Sequence, residues 1–287
     1  MAAVTSGYLM PRAWDASSSA TVSGSPSPTA LSFLTWNTLA DGCNNFAFAR
    51  ESDVAWSARL PMILHELAAV SADVIALQEV NRYDDLAAAL APEYAVLFSP
   101  RIASARSGAL SRGAAPDGVA LFVRRSRLSI VDVETVYFRD PLTGGLASQN
   151  AIVATLRDTA TGRTLIVANA HLKAGKGEGP DATRVTQSAQ LVAAARGSRV
   201  RAEAARRGPA LDADVGNGSP VSPHGAAAIP IVVLGDFNAP ADSTCVRNLL
   251  ATLSPSGGAR AAHADVEFTT LKYRGSPPTK VQHVSTV

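Results

Sequence analysis

Four stretches decide the fold: "DGVALFVR" (117–124), "LSIVDVETVYF" (128–138), "QNAIVATLRD" (149–158) and "TLIVANAHL" (164–172). Each is rich in β-branched or aromatic residues and as long as a strand. Nothing between them has the length or period of a helix. The link "DTATG" (158–162) predicts a hairpin. A doubly wound parallel sheet needs a helix after nearly every strand, because parallel neighbours require a long crossover. The expected class is therefore α/β with two packed, mostly antiparallel sheets and helices outside them.

Working outward, "LSFLTWN" (31–37), "ADVIALQEV" (72–80) and "EYAVLFS" (93–99) read as further strands. Val54, Leu60, Ile63, Leu67 and Val70 have helical spacing and predict a helix over 52–69. "RYDDLAAALA" (82–91) predicts a short helix, and 183–207 a longer one with a basic end. The strand "IPIVVLG" (229–235), a helix near 242–253 and a last strand near 266–273 complete the order. Residues 1–30 are rich in Ser, Ala and Pro without hydrophobic period and are expected to be a disordered tail. Residues 208–228 have the Gly, Pro and Ser content of a flexible insertion within one domain spanning 31–287.

Composition removes several function classes. In 287 residues, 47% hydrophobic content suffices for a core, and no apolar run is long enough to span a bilayer. A net charge of +2 gives no strong field toward nucleic acid or a membrane surface. Cys43 and Cys245 form no CxxC pattern, so a disulfide framework is not expected. The expected location is the cytoplasm. Organelle targeting by the tail is the alternative, although Arg12 is its only arginine.

Four strands end in polar residues that a core would not select: Asn37, Glu79, His171, and the pair Asp236 and Asn238. Taken singly, Asp236 suits a turn, Glu79 a helix start and His171 a satisfied core position. Taken together, they place chemistry at strand tips. Asp236 and Asn238 are two apart and face one way in an extended segment. Glu79 is a hard oxygen ligand suited to Mg²⁺, and Asn37 could add its carbonyl or orient a bound water. His171 could donate to a phosphoryl oxygen, Asp236 could orient or deprotonate a water, and Asn238 could meet developing charge. No Ser or Cys stands beside a His in a nucleophile motif, which argues against acyl transfer.

The motifs "TWNTLAD", "DVIALQEV", "HLKA" and "GDFNAP" occur in an order that resembles the endonuclease/exonuclease/phosphatase superfamily. Within it, "PDGVALF" (116–122), "AHLKA" (170–174) and "RVTQSAQL" (184–191) are most similar to the nocturnin/deadenylase branch. The resemblance implies a four-layered α/β sandwich of DNase-I-like type. It implies a phosphoric ester hydrolase using Mg²⁺, or Mn²⁺ in its place, held by Glu79 and Asn37. His171 would touch the scissile phosphate, Asp236 position the water and Asn238 bind phosphate. Lys173, Lys176 and Gln190 would contact substrate. The implied substrates are the 2′-phosphate of NADP(H) or the 3′ end of poly(A).

Two departures accompany this likeness. Gly175 stands where the nocturnin branch usually has an arginine. The family ends with an Asp-bearing strand and a Ser-Asp-His motif, whereas this sequence ends "FTTLKYRGSPPTKVQHVSTV" and offers only His283. The expectation is a domain lacking its final strands, with weak or no activity and low stability. The alternatives are a catalytically dead member that binds without hydrolysis, or a general nuclease of the same superfamily.

Overall fold

The computed structural model describes residues 30–41, 51–102, 116–207 and 228–253. The expected tail, apart from Ala30, lies outside these residues. So do the insertion at 208–227, the strand near 266–273 and His283.

The described strands are β1 (Phe33–Asn37), β2 (Val74–Val80), β3 (Tyr94–Pro100), β4 (Gly118–Arg124), β5 (Leu128–Arg139), β6 (Leu146–Asp158), β7 (Thr164–His171) and β8 (Ile231–Asp236). The helices are α1 (Glu51–Val54), α2 (Trp56–Val70), α3 (Tyr83–Leu90), α4 (Glu178–Arg207) and α5 (Thr244–Leu253). The described strands form two four-stranded sheets, in the orders β1-β2-β4-β3 and β5-β6-β7-β8. Pairing is antiparallel except for β1 with β2 and β7 with β8. The expected pair of mostly antiparallel sheets is thus what forms.

Three apolar clusters make four layers. Val74, Ala76, Leu121, Ile152, Ala154, Val167 and Leu234 fill the space between the sheets. Ile63 and Leu67 of α2 and Leu86 of α3 cover the outer face of the first sheet, against Ile75, Leu77 and Phe122. Leu191, Val192 and Ala195 of α4, with Val246 and Leu249 of α5, cover the second against Val153, Ile166 and Ala168. Alternation explains the arrangement, since successive residues of β6 serve opposite layers: Ile152 and Ala154 face the other sheet, Ala151 and Val153 the helices.

The helices differ from expectation in two places. The helix expected over 52–69 breaks at Ala55, whose ψ is 139°. There the Val54 carbonyl accepts from Arg59 Nε at 2.8 Å. Helix α4 begins five positions earlier than its period suggested, at Glu178. Pro180 hides this start from a periodicity argument, yet proline is tolerated in a first turn, where its missing N–H has no partner to lose. Among the described residues, no helix is long and apolar enough to cross a membrane.

Candidate active site

The two parallel pairs position the site. Because β1 and β2 run together, Asn37 and Glu79 emerge at the same edge of the first sheet. Because β7 and β8 run together, His171 lies in register with Asp236 at an edge of the second. Asn37 links the two edges. Asn37 Nδ2 donates to Glu79 Oε1 at 2.8 Å and to Asp236 Oδ2 at 2.9 Å. All four expected strand tips therefore converge at one end of the sandwich.

Backbone conformation aims these groups. Glu79 has φ of 57°, Leu39 60° and Asn238 49°. Such values cost non-glycine residues on the order of 1 kcal/mol or more and persist only where surroundings enforce them. At Glu79 the ladder to β4 shifts register between Gln78 and Val80. A bulge of this kind redirects one side chain. It turns the carboxylate toward the cluster, where Oε2 accepts from the Ala40 amide at 3.1 Å. Gly235 has φ of 144°, and a Cβ there would lie 2.0 Å from the Ala170 carbonyl oxygen. Only glycine lets β8 approach β7 this closely just before Asp236. Asp236 Oδ1 then accepts from the Asn238 amide at 2.9 Å, which fixes the turn.

His171 is buried. Its Nδ1 lies 2.6 Å from Arg101 Nη2, and the guanidinium can only donate. Nδ1 is therefore the acceptor and the proton sits on Nε2, 3.9 Å from Asp236 Oδ2. Burial, then the positive charge of Arg101, pushes the imidazole below its ordinary pKa despite nearby carboxylates, so it is neutral near pH 7. Arg101 also pairs through Nε with Asp117 at 2.9 Å. Burial raises the Asp117 carboxyl against the pull of Arg101.

Among the candidates, Glu79, Asn37, Asp236 and His171 are linked in that order by successive contacts. Asn37 turns its Nδ2 to the carboxylates while its Oδ1 accepts from the Leu39 amide at 3.0 Å, so in this arrangement it orients Glu79. Asn238 lies beside the cluster with Nδ2 on the Leu172 carbonyl at 3.0 Å. Lys173 and Lys176 are exposed on the loop after β7. The Gln190 amide exchanges hydrogen bonds with the Arg139 backbone at 2.8 and 3.0 Å and fastens α4 to β5. Arg101 and Asp117 were not singled out as site residues in the sequence, although each stands at a strand end, after β3 and before β4. The ion pair that links them forms only once those strands are neighbours.

The donor set suits a hard divalent cation. Two carboxylates, Glu79 and Asp236, converge on one neutral amide. A Mg²⁺ with few protein ligands, completing its shell with water and phosphate oxygen, matches that chemistry. Among the described residues, no three His, Cys, Asp or Glu side chains form a preassembled metal cluster.

An α/β sandwich carrying an acidic, histidine-flanked tip defines the class of DNase-I-like proteins. The model of the Endonuclease/Exonuclease/phosphatase family matches residues 34–281, and the chain belongs to that family. It is similar to nocturnin of Xenopus laevis, 28% identical over 265 residues that cover 88% of this chain and 60% of the relative. Nocturnin of Drosophila melanogaster is 33% identical over 152 residues, covering 51% of this chain and 23% of the relative. The chain thus spans less than two thirds of these curated relatives. The human nocturnin catalytic domain, solved with bound sulfate, superposes with a TM-score of 0.57 at 26% identity, covering 76% of this chain and 68% of that one.

Proposed function

We propose that this chain is a Mg²⁺-dependent phosphoester hydrolase of nocturnin type that removes the 2′-phosphate of NADP(H). One observation carries the reading: Asn37 joins Glu79 of one sheet to Asp236 of the other, at 2.8 and 2.9 Å, beside the buried His171. Glu79 would hold the metal, with Asn37 steadying it. A bound Mg²⁺ would supply Lewis-acid polarisation of a phosphoryl oxygen.

The protein's own groups would do the rest. Asp236 would orient a water and accept its proton. The Nε2–H of His171 would donate to a phosphoryl oxygen as charge develops. Lys173 and Lys176, exposed on the adjoining loop, would meet substrate phosphate. The net charge of +2 favours a small dinucleotide, because a nuclease that tracks a strand gains from a basic groove.

The test incubates the chain and Mg²⁺ with NADPH and with a 5′-labelled poly(A) oligomer. Slow, metal-dependent phosphate release from NADPH is expected. Laddering of the oligomer without phosphate release would transfer the reading to a 3′ exonuclease. Binding of both without turnover would identify a catalytically dead binding protein. Lys173→Ala should reduce the preference for NADP over NAD at least about tenfold in binding, since a charge-assisted contact contributes about 1.5–3 kcal/mol. Equal binding of NAD and NADP by the unmutated protein would refute the 2′-phosphate assignment.

A further inference from the structure

The interface between the sheets is aliphatic over most of its area. Val74, Ala76, Val119, Leu121, Ile152, Ala154, Leu156, Val167, Val232 and Leu234 meet there. Such contacts are strong but non-directional, so they hold the sheets together without defining their offset. At the end that carries the site the interface becomes polar, with Thr35, Gln78, Ser99, Asn150 and Asn169 all buried.

These groups are connected across the gap. From β2, Gln78 Nε2 donates to Asn169 Oδ1 at 2.8 Å and shares contacts of 3.1 Å with Thr35 Oγ1 and the Ala76 carbonyl. From β7, Asn169 Nδ2 reaches into the opposite sheet. It donates to the Leu77 carbonyl of β2 at 3.0 Å and to the Ala120 carbonyl of β4 at 2.8 Å. One asparagine therefore grips two strands of the other sheet. Gln78 is 1% and Asn169 0% exposed, so solvent offers neither amide a substitute partner.

Their places in the sequence matter. Gln78 immediately precedes Glu79, at the bulge that turns the carboxylate. Asn169 is two residues before His171 on the same strand and so shares its face. A leucine at either position would serve cohesion as well, because a buried amide must be fully bonded merely to offset its desolvation. What the amides add is direction.

We propose that Gln78 and Asn169 are positioning residues that set the offset between the sheets, and so bring Asn37 and Glu79 to His171 and Asp236. As a role in catalysis this rests on the hydrolase reading above. As a statement about geometry it does not.

The experiment uses the full chain with Gln78→Met and Asn169→Leu together, removing both amides while keeping apolar volume. A cooperative melt close to that of the unmutated protein is expected. With NADPH and Mg²⁺, kcat should fall on the order of a hundredfold with KM little changed, because a misplacement of about 1 Å costs that much in rate. A second readout needs no turnover. Asn37→Ala and Asp236→Ala are combined in a double-mutant cycle of melting temperatures. Their shifts should be non-additive in the unmutated background, where the two residues share a hydrogen bond. They should become additive once Gln78 and Asn169 are replaced.

An unchanged kcat together with an undiminished Asn37–Asp236 coupling in the folded variant would overturn the proposal. So would a loss of kcat fully explained by the unfolded fraction at the assay temperature. If the double replacement does not melt cooperatively, Gln78→Met alone takes its place, since it leaves the Asn169 donors on β2 and β4. A reduced coupling is then expected, and an unchanged one overturns the proposal. If the unmutated protein turns over neither NADPH nor poly(A), the hydrolase reading fails and the cycle alone decides this one.

Discussion

Among the described residues, the Glu79 carboxylate accepts from one side-chain amide and one backbone amide, and no Lys or Arg is bonded to it. On the proposed reading it would receive a cation from solution. Glu79→Gln preserves shape and removes the charge that would hold Mg²⁺. Loss of Mg²⁺ binding in calorimetry is expected, with the melting temperature almost unaltered; equal binding would remove Glu79 from the metal site. Gly235 makes the opposite kind of contribution. A Cβ there would meet the Ala170 carbonyl oxygen at 2.0 Å in a conformation that side chains rarely adopt. Gly235→Ala should lower stability by more than about 1 kcal/mol in chemical denaturation. An alanine variant as stable as the parent would mean that β8 can retreat from β7 at no cost.

Among the elements, the β6–β7 hairpin has the clearest dependence on a single ionised group. Asp158 ends β6 and accepts from the Thr161 hydroxyl at 2.8 Å, the Ala160 amide at 2.9 Å and Arg127 at 3.1 Å. Burial pushes its carboxyl upward. The Thr161 hydroxyl, the Ala160 amide and Arg127 outweigh that and hold it below the ordinary value. A depressed carboxyl contributes stability that is present above its unfolded pKa and is lost as pH falls through the folded one. Comparing melts of the parent with Asp158→Asn should thus show a constant gap above about pH 5 that narrows below about pH 4. A gap independent of pH would mean that the charge plays no part in the turn. Helix α4 owes its seat to directed bonds as well as packing. Gln187 accepts from the Lys173 amide at 2.8 Å, and Arg184 donates to the carbonyls of Lys173 and Gly175 at 2.8 and 2.9 Å. The loop that displays both lysines is thereby tied to the helix that covers the second sheet.

For the molecule as a whole, stability and alignment come from different layers. Leu234 is fully buried between the sheets. Leu234→Ala should cost about 2–5 kcal/mol, through lost transfer energy and an unfilled cavity. That loss should be measurable in denaturant with or without Mg²⁺ present. A cost below 1 kcal/mol would imply that the sheets close over the gap. Cohesion is thus broadly distributed over aliphatic side chains, while the offset of the sheets rests on a few amides at the site end.

Much of the fold and part of the site were legible before any contact was known. A strand announces itself through residues adjacent in the chain, so the runs around Ile75, Leu121, Val153 and Val233 were readable, as was the lack of helices from 117 to 172. A polar residue at a strand tip is equally local, and Asn37, Glu79, His171 and Asp236 stood out for that reason. What these side chains do to one another depends on distance in space. Asn37 and Asp236 are 199 positions apart and meet only because two sheets pack. The inward turn of the Asn37 amide, the hold of Arg101 on His171, the grip of Asn169 on β2 and β4, and the bonding of Gln190 to Arg139 were settled at that level. Sequence determined which residues reach the tips, because period and propensity act within a few residues. Tertiary structure decided which tips meet, because hydrogen bonds are directional and short.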